Sequence, residues 1–457
     1  MNSILKIWNP QKAFLILAIL FGITFLLVTP PFQVADEYQH FFRAYHISEG
    51  HLMPEKLGQD FGGMLPESIA ITTHKVSAGI PFHPENKQKL QNIFPLLGLP
   101  LDEDKRVFIS FVNVAKYSPM PYIPGAIGIA LGRSVRASPL ILMYLARLSN
   151  LLLFILLGYF SIKITPVFKW VFLLLLLTPI SVFTVASASG DCVTISFSFF
   201  LVALFLKYSL IQEAPLDRVG LTGIFLSSSI LSLAKPPYQS LCLLFLLIPL
   251  KKFRPVGRYL ITFFSLLLLC ILLSIIVIYS IRELNDVSYV PTMASPNEQL
   301  VFLSRQPFQF LIAFFNGWAR DGFITIEQLI GILGWLDTRL PTFLIVSYFC
   351  ILILTSIAGG SKDLEISYFQ RFLIFITMLF NVFVISFFLY IHWSPVGANI
   401  VDGWQGRYLT PIGILIFLPL YNRKIRLNPR ILKILVISYL FFSGSLTVSV
   451  LINRYYL

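Results

Sequence analysis

Apolar runs about 20 residues long recur along the whole of this chain, and nothing else in it constrains the fold as tightly. A helix of that length crosses the hydrocarbon of a bilayer, and a soluble domain has no use for a series of them. Charge agrees with this: 12% of the 457 residues are charged and 56% are hydrophobic, whereas soluble domains carry about 25% charge. The expected fold is all-α and integral to the membrane, a single polytopic domain over residues 1–457.

Eleven transmembrane helices are expected: Ala13–Val28, Leu140–Ile162, Trp170–Ala186, Cys192–Tyr208, Val219–Ala234, Tyr238–Leu250, Tyr259–Ser280, Pro341–Ile357, Phe372–Ile391, Tyr408–Tyr421 and Ile431–Ile452. Lys6 and Lys12 precede the first run, as in a signal peptide. No small-residue cleavage site stands before Pro30-Pro31, so the run is read as an uncleaved span. Two long polar segments interrupt the series, residues 29–139 and 281–340. Within the first, Lys105–Tyr117 and Ile123–Leu131 read as short amphipathic or interfacial helices, and the second of these could also cross the membrane. Within the second segment, Phe308–Trp318 and Ile324–Leu336 are the amphipathic stretches.

With the N-terminus inside, Lys163/Lys169, Lys251–Arg258, Lys362/Arg371 and Arg423–Arg430 all fall on the cytoplasmic side. That is the positive-inside pattern. It accounts for the net charge of +13 without any nucleic-acid partner. The two long segments then become extracytoplasmic loops of a multi-pass plasma-membrane protein with its C-terminus outside. The four cysteines, Cys192, Cys242, Cys270 and Cys350, lie in or beside apolar runs and form no CxxC pair, which indicates neither a disulfide framework nor a zinc site.

The chemistry-bearing residues gather at the outer ends of these spans. Pro30-Pro31 stops the first helix, and the adjacent carboxylates Asp36 and Glu37 follow. A helix starting near Asp36 puts Asp36, His40 and Arg43 on one face. Such a pair supplies either a catalytic base in a dry cavity or a helix N-cap with an acidic first turn. Asp191, after Ser-Ala-Ser-Gly, admits the same two readings. Lys235 stands between two spans of 16 and 13 residues, only about 24 and 20 Å long as α-helices. Short proline-broken spans of this kind either line a site or thin the bilayer. Arg407 lies in Gly403-Trp404-Gln405-Gly406-Arg407-Tyr408, where two glycines would let the backbone approach a ligand. Lys235 and Arg407 suit a phosphate clamp. Arg147 within the second span is a functional candidate by its depth, and Asp337 in Leu333-Gly334-Trp335-Leu336-Asp337 could line the same cavity or end a helix. The first loop holds five of the six histidines. No HExxH or paired spacing supports a divalent metal there, so no cofactor is expected. Walker, GxGxxG and Ser-His-Asp patterns are absent, which disfavours a soluble-type nucleotide enzyme.

Four motifs taken in order resemble a known family: Pro31-Phe32-Gln33-Val34-Ala35-Asp36-Glu37 with His40-Phe41-Phe42-Arg43-Ala44-Tyr45, Ala234-Lys235-Pro236-Pro237-Tyr238, Leu333-Gly334-Trp335-Leu336-Asp337, and Gln405-Gly406-Arg407-Tyr408. Together they look like the bacterial membrane proteins of domain of unknown function 2142 (DUF2142), from about residue 15 to 450. A wider similarity is to the GT-C glycosyltransferases. Asp36-Glu37 matches their acidic pair after span 1, Tyr117-Ser118-Pro119-Met120-Pro121-Tyr122 resembles their Pro-containing late-loop segment, and Ala146-Arg147-Leu148 resembles their Arg-Leu opening span 2. Asp191 matches an acid at the outer start of span 4. The resemblance implies a GT-C-like transferase that moves a sugar from a polyprenyl-phosphate carrier to a glycan or lipid acceptor. In it Asp36, Glu37 and Asp191 would be catalytic, and His40, Arg43, Arg147, Lys235, Asp337, Gln405 and Arg407 would bind substrate. A flippase or a polymerase of lipid-linked polysaccharide is the alternative.

Overall fold

The structure, a computed structural model, describes residues 9–77, 79–211, 216–253, 255–282, 294–361 and 363–457. Lys6, Arg254 and Lys362 of the charge pattern lie outside the described residues, as do 212–215 between the fourth and fifth expected spans and 283–293 of the second long segment.

Among the described residues, six helices are long and apolar enough to cross a membrane: α1 (Pro10–Val28), α3 (Pro139–Ile164), α4 (Asp191–Leu210), α6 (Gly257–Ser280), α8 (Tyr368–His392) and α9 (Pro429–Tyr455). In chain order, α2 (Glu37–Ser48), α5 (Arg218–Ala234) and α7 (Gln309–Gly331) complete the frame used below. The other expected spans are helical but short or broken. Trp170–Ala186 is two helices, Lys169–Leu176 and Pro179–Val185, because Pro179 cannot continue the ladder and Thr178 caps the second piece. Tyr238–Leu250 is largely the 3-10 helix Pro236–Leu247. At about 2.0 Å rise per residue its 12 residues reach about 24 Å, further than an α-helix of that length would. Thr342–Ala358 and the composite Gly406–Leu420 are the remaining short apolar helices.

The first polar segment departs from an all-helical fold. Strands β1 (Glu55–Leu57), β2 (Asp60–Pro66) and β3 (Arg106–Ser110) form an antiparallel sheet in the order β1-β2-β3, with Leu65 opposite Val107 and Gly62 opposite Ser110. Lys105–Tyr117 is therefore not one amphipathic helix. Its first half, rich in Val, Phe and Ile, pairs with β2, and only Val112–Ala115 turns helical before Lys116. Ile123–Ser134 is a helix of 12 residues laid on α3. A side chain at Gly128 would meet the Leu145 carbonyl at 2.6 Å, so the small residue is what lets the two backbones approach. In the second segment, the two expected stretches merge into the single helix α7, which ends at a tight hairpin, Ile332–Leu333 with Thr338–Arg339.

The last helix ends beside the first loop. Arg454 Nη2 donates to the Ile80 carbonyl at 3.1 Å, and the Tyr455 hydroxyl to the Gln33 carbonyl at 3.3 Å. Val28 at the end of α1 lies a few residues before Gln33, so the end of α9 packs near the C-terminal end of α1.

Candidate functional site

The turn from α1 into α2 sends two neighbouring carboxylates in different directions. Phe32 and Asp36 both adopt positive φ, 64° and 62°, a conformation that costs a non-glycine residue about 1–3 kcal/mol and persists only where its surroundings impose it. Asp36 occupies the N-cap position of α2, yet its side chain makes no capping bond. The capping explanation of this aspartate therefore fails. Its Oδ2 lies 3.2 Å from Arg407 Nη2 instead.

Glu37 points the other way. It is fully buried against a fully buried Arg147, with Nε to Oε1 at 2.7 Å and Nη2 to Oε2 at 2.6 Å. Glu37 Oε1 also accepts from the Ala188 amide at 3.1 Å, in the turn before α4. Arg147 donates to the carbonyls of Leu26, Thr29 and Pro30 at 2.8–3.0 Å. Every guanidinium N–H that can be used is used. The pair pins the end of α1, the start of α2, the upper part of α3 and the 187–191 turn to one another.

A cavity of about 660 Å³ opens on the Asp36 side. Asp36, His40, Asp191, Lys235, Gln405 and Arg407 all line it. Lys235 and Asp191 form an ion pair, and Arg407 Nε stands 3.8 Å from Asp191 Oδ2. Two acids and two bases thus balance at the floor of the cavity. The Lys235 ammonium lies 5.4 Å from the centres of both the Tyr117 and the Tyr408 rings, whose faces favour a cation. Arg407 Nε has no hydrogen-bond acceptor, so part of its fork is uncommitted. His40 is buried, with Nδ1 3.1 Å from the Tyr122 hydroxyl. Burial pulls its pKa down to about 4, against the raising influence of Asp36 and Asp191, so at neutral pH the ring is uncharged.

Part of the lining is apolar. Val277 and Ile278 at the end of α6, Ile281 just beyond it, and Ile385, Phe388 and Leu389 near the end of α8 supply it. The cavity therefore joins a charged floor to an apolar face made by two long membrane-type helices.

Four sequence candidates lie elsewhere. Glu37 and Arg147 form the buried pair. Arg43 turns into the loop, where its guanidinium reaches His46 Nδ1 at 3.2 Å and the Leu52 carbonyl at 2.5 Å. The shared-face argument for Arg43 breaks down because Asp36 precedes the helix in a left-handed turn and does not belong to its face. Asp337 accepts from Arg454 at 2.8 Å and from the Trp335 amide at 3.2 Å inside the hairpin after α7. The glycines near Arg407 pack closely against protein: a side chain at Gly403 would meet the Trp393 ring at 2.2 Å, and one at Gly406 the Gln328 backbone at 2.4 Å.

Sequence reasoning did not single out Asn113, Lys116, Tyr238 or His392, all of which line the cavity. Tyr238 is the last residue of the Ala-Lys-Pro-Pro-Tyr motif, and Lys116 directly precedes the Tyr-Ser-Pro segment. The loop also brings His46, His51 and Glu55 together, with ligand atoms within 4.8 Å. Arg43 can only donate, so His46 Nδ1 accepts and the proton sits on Nε2, facing Glu55 at 3.3 Å. A metal would have to displace that proton beside a guanidinium, and the group fits a hydrogen-bonded cluster better.

Fold and site together define a polytopic membrane protein with a charged cavity at one end of its helices. The chain matches the family described as Predicted membrane protein (DUF2142) over residues 19–416, and it belongs to that family. That range contains every cavity residue named above. No curated protein and no solved structure matches it.

Proposed function

We propose that the protein is a GT-C-like glycosyltransferase, which takes a sugar from a polyprenyl-phosphate carrier and passes it to a cell-surface glycan or lipid acceptor. The observation that carries this reading is the two-sided cavity: charged groups at its floor and the ends of α6 and α8 along its wall. A phosphate esterified to a long isoprenoid needs both surfaces at once. The floor lies where the expected eleven-span topology puts the extracytoplasmic face of the plasma membrane.

In this reading Arg407 and Lys235 hold the carrier phosphate. Asp191, more buried and paired with both, sets their positions. Asp36 has one cationic partner and the more exposed side chain, 27% against 9% for Asp191. It is the better placed of the two to meet an acceptor. Asp36 takes the proton of the acceptor hydroxyl, whose oxygen attacks the anomeric carbon. The bond from that carbon to the phosphate oxygen breaks, and its electron pair leaves on the polyprenyl phosphate. Arg407 and Lys235 stabilise the charge that develops there. Glu37 is a positioning residue here, since Arg147 holds it away from the cavity.

The test is in vitro transfer from a short-chain polyprenyl-phosphate sugar by the purified protein in nanodiscs. Expected is turnover by wild type and a loss of about 10²-fold or more with Asp36→Asn, in line with removing a general base. Carrier binding without turnover under any acceptor tried would oppose the assignment.

A further inference from the structure

His40 is only 6% exposed, and it lines the cavity. One of its ring nitrogens is committed, Nδ1 at 3.1 Å from the Tyr122 hydroxyl. The other is not: Nε2 has no hydrogen-bond partner among the described residues and is not sealed off by protein, so it is open to the cavity. Tyr122 fixes which nitrogen carries the proton. Its phenol is buried, and burial holds its pKa well above the usual value, so the O–H is always present. Among the described residues His40 Nδ1 is the one acceptor within reach of that hydroxyl. A proton on Nδ1 would point at the phenol oxygen and strand the buried O–H, which native structures avoid. Nδ1 therefore accepts, and the single proton of the neutral ring sits on Nε2. Asp36 stands one helical turn earlier, where its carbonyl accepts from the His40 amide at 3.1 Å. Its carboxylate exerts the strongest of the charges that act on the ring. Arg407 holds Oδ2, while Oδ1 is open and unpartnered among the described residues. A neutral N–H donor and a carboxylate acceptor thus open onto one cavity side by side. They match the two halves of an alcohol, whose oxygen accepts and whose hydrogen donates. A phosphate offers acceptors alone, and Asp36 would repel it.

We propose that His40 and Asp36 together seat a sugar hydroxyl: His40 Nε2–H donates to its oxygen, Asp36 Oδ1 accepts from its O–H, and Tyr122 holds the ring in the tautomer this needs. His40 orients the hydroxyl and does not take its proton, since the open nitrogen already carries one. This deepens the transferase reading and rests on it in taking the hydroxyl to be the acceptor's.

The experiment is nitrogen NMR on the full-length protein in nanodiscs, with isotope-labelled histidine and the His40 signals assigned by their loss in His40→Gln. Expected at neutral pH is a protonated Nε2 and a bare Nδ1. Tyr122→Phe removes the hydroxyl that selects this tautomer and should shift both nitrogens towards a mixture. Methyl glycosides of glucose, mannose and galactose are then titrated in. At least one should move the Nε2 signal saturably, and Asp36→Asn should weaken that glycoside about tenfold or more, the scale of a lost charge-assisted hydrogen bond. Signals of the other histidines, unmoved in each variant, exclude misfolding as the cause. A bare Nε2, a tautomer unchanged in Tyr122→Phe, an Nε2 signal that no glycoside moves, or a glycoside bound as tightly by Asp36→Asn would each overturn the inference. Sugar transfer by a protein whose Nε2 is bare would remove His40 from this role and leave the transferase reading standing. A glycoside seated at Nε2 and weakened by Asp36→Asn, in a protein that transfers no sugar, would support this seat and count against the transferase reading.

Discussion

The two neighbouring acids after the first helix should fail in opposite ways when neutralised. Glu37→Gln keeps the side chain's shape but leaves the Arg147 guanidinium charged, fully buried and without its counter-ion. Removing one partner of such a pair costs about 3–5 kcal/mol, much of it the penalty of the stranded charge. Arg147→Met strands Glu37 and also removes donors from the Leu26, Thr29 and Pro30 carbonyls, each worth about 1–3 kcal/mol if left buried and unpaired. The double variant Glu37→Gln/Arg147→Met leaves no charge behind, so the two changes should couple by about 1–3 kcal/mol. Asp36→Asn, by contrast, alters a carboxylate at the cavity edge, with a single 3.2 Å ion pair and 27% exposure. Screening by the open cavity should hold its cost to about 1 kcal/mol or less. Unfolding in detergent micelles, followed by tryptophan fluorescence, measures all four variants. A Glu37→Gln protein as stable as wild type, or an Asp36→Asn protein that unfolds as readily as Glu37→Gln, would refute this division of labour.

Three further outcomes are expected. His40 has a folded-state pKa near 4 against 6.5 when free, so the folded protein binds fewer protons than the unfolded chain between those values, and stability falls as pH drops from 6.5 towards 4. His40→Gln should flatten that slope in melting curves taken across the range, and an unchanged slope would contradict the burial argument. Gly406→Ala puts a methyl into the Gln328 backbone, so the fold should lose the about 1–3 kcal/mol typical of overpacking, read as a lower folded yield on size exclusion. Arg407→Lys keeps the charge but loses the fork that reaches both Asp36 and Asp191, so affinity for farnesyl phosphate should fall about tenfold, while an unchanged affinity would remove Arg407 from the phosphate site.

Much of the frame was legible because membrane spans announce themselves by length and apolarity. The short pair meeting at Lys235 was also legible as irregular, since Pro236 and Pro237 mark the break, whereas the break at Pro179 inside the expected span Trp170–Ala186 was not. The small sheet was not. Arg106–Ser110 has no turn signal or strict alternation to separate it from a short amphipathic helix, and its partner strand lies some 40 residues earlier in the sequence. Within the site, Asp36, His40, Asp191, Lys235 and Arg407 could be proposed from chemistry and position, and Gln405 only through the motif it shares with Arg407. Which of the two adjacent acids faces outward could not. That depends on a left-handed turn at Asp36 itself, with no glycine to signal it. The same turn explains why Arg43 leaves the face that periodicity assigned to it. Lys116 and His392 stayed hidden because nothing in the sequence links the first loop to the end of α8.

The transferase role is tested most directly in a deletion strain complemented with wild type or with Asp36→Asn, with lipid-linked and surface glycans resolved by mass spectrometry. Asp36→Asn, present at wild-type protein level, should leave the surface glycan as incomplete as the deletion does and the sugar-loaded carrier accumulated. A wild-type glycan profile at that protein level would contradict it.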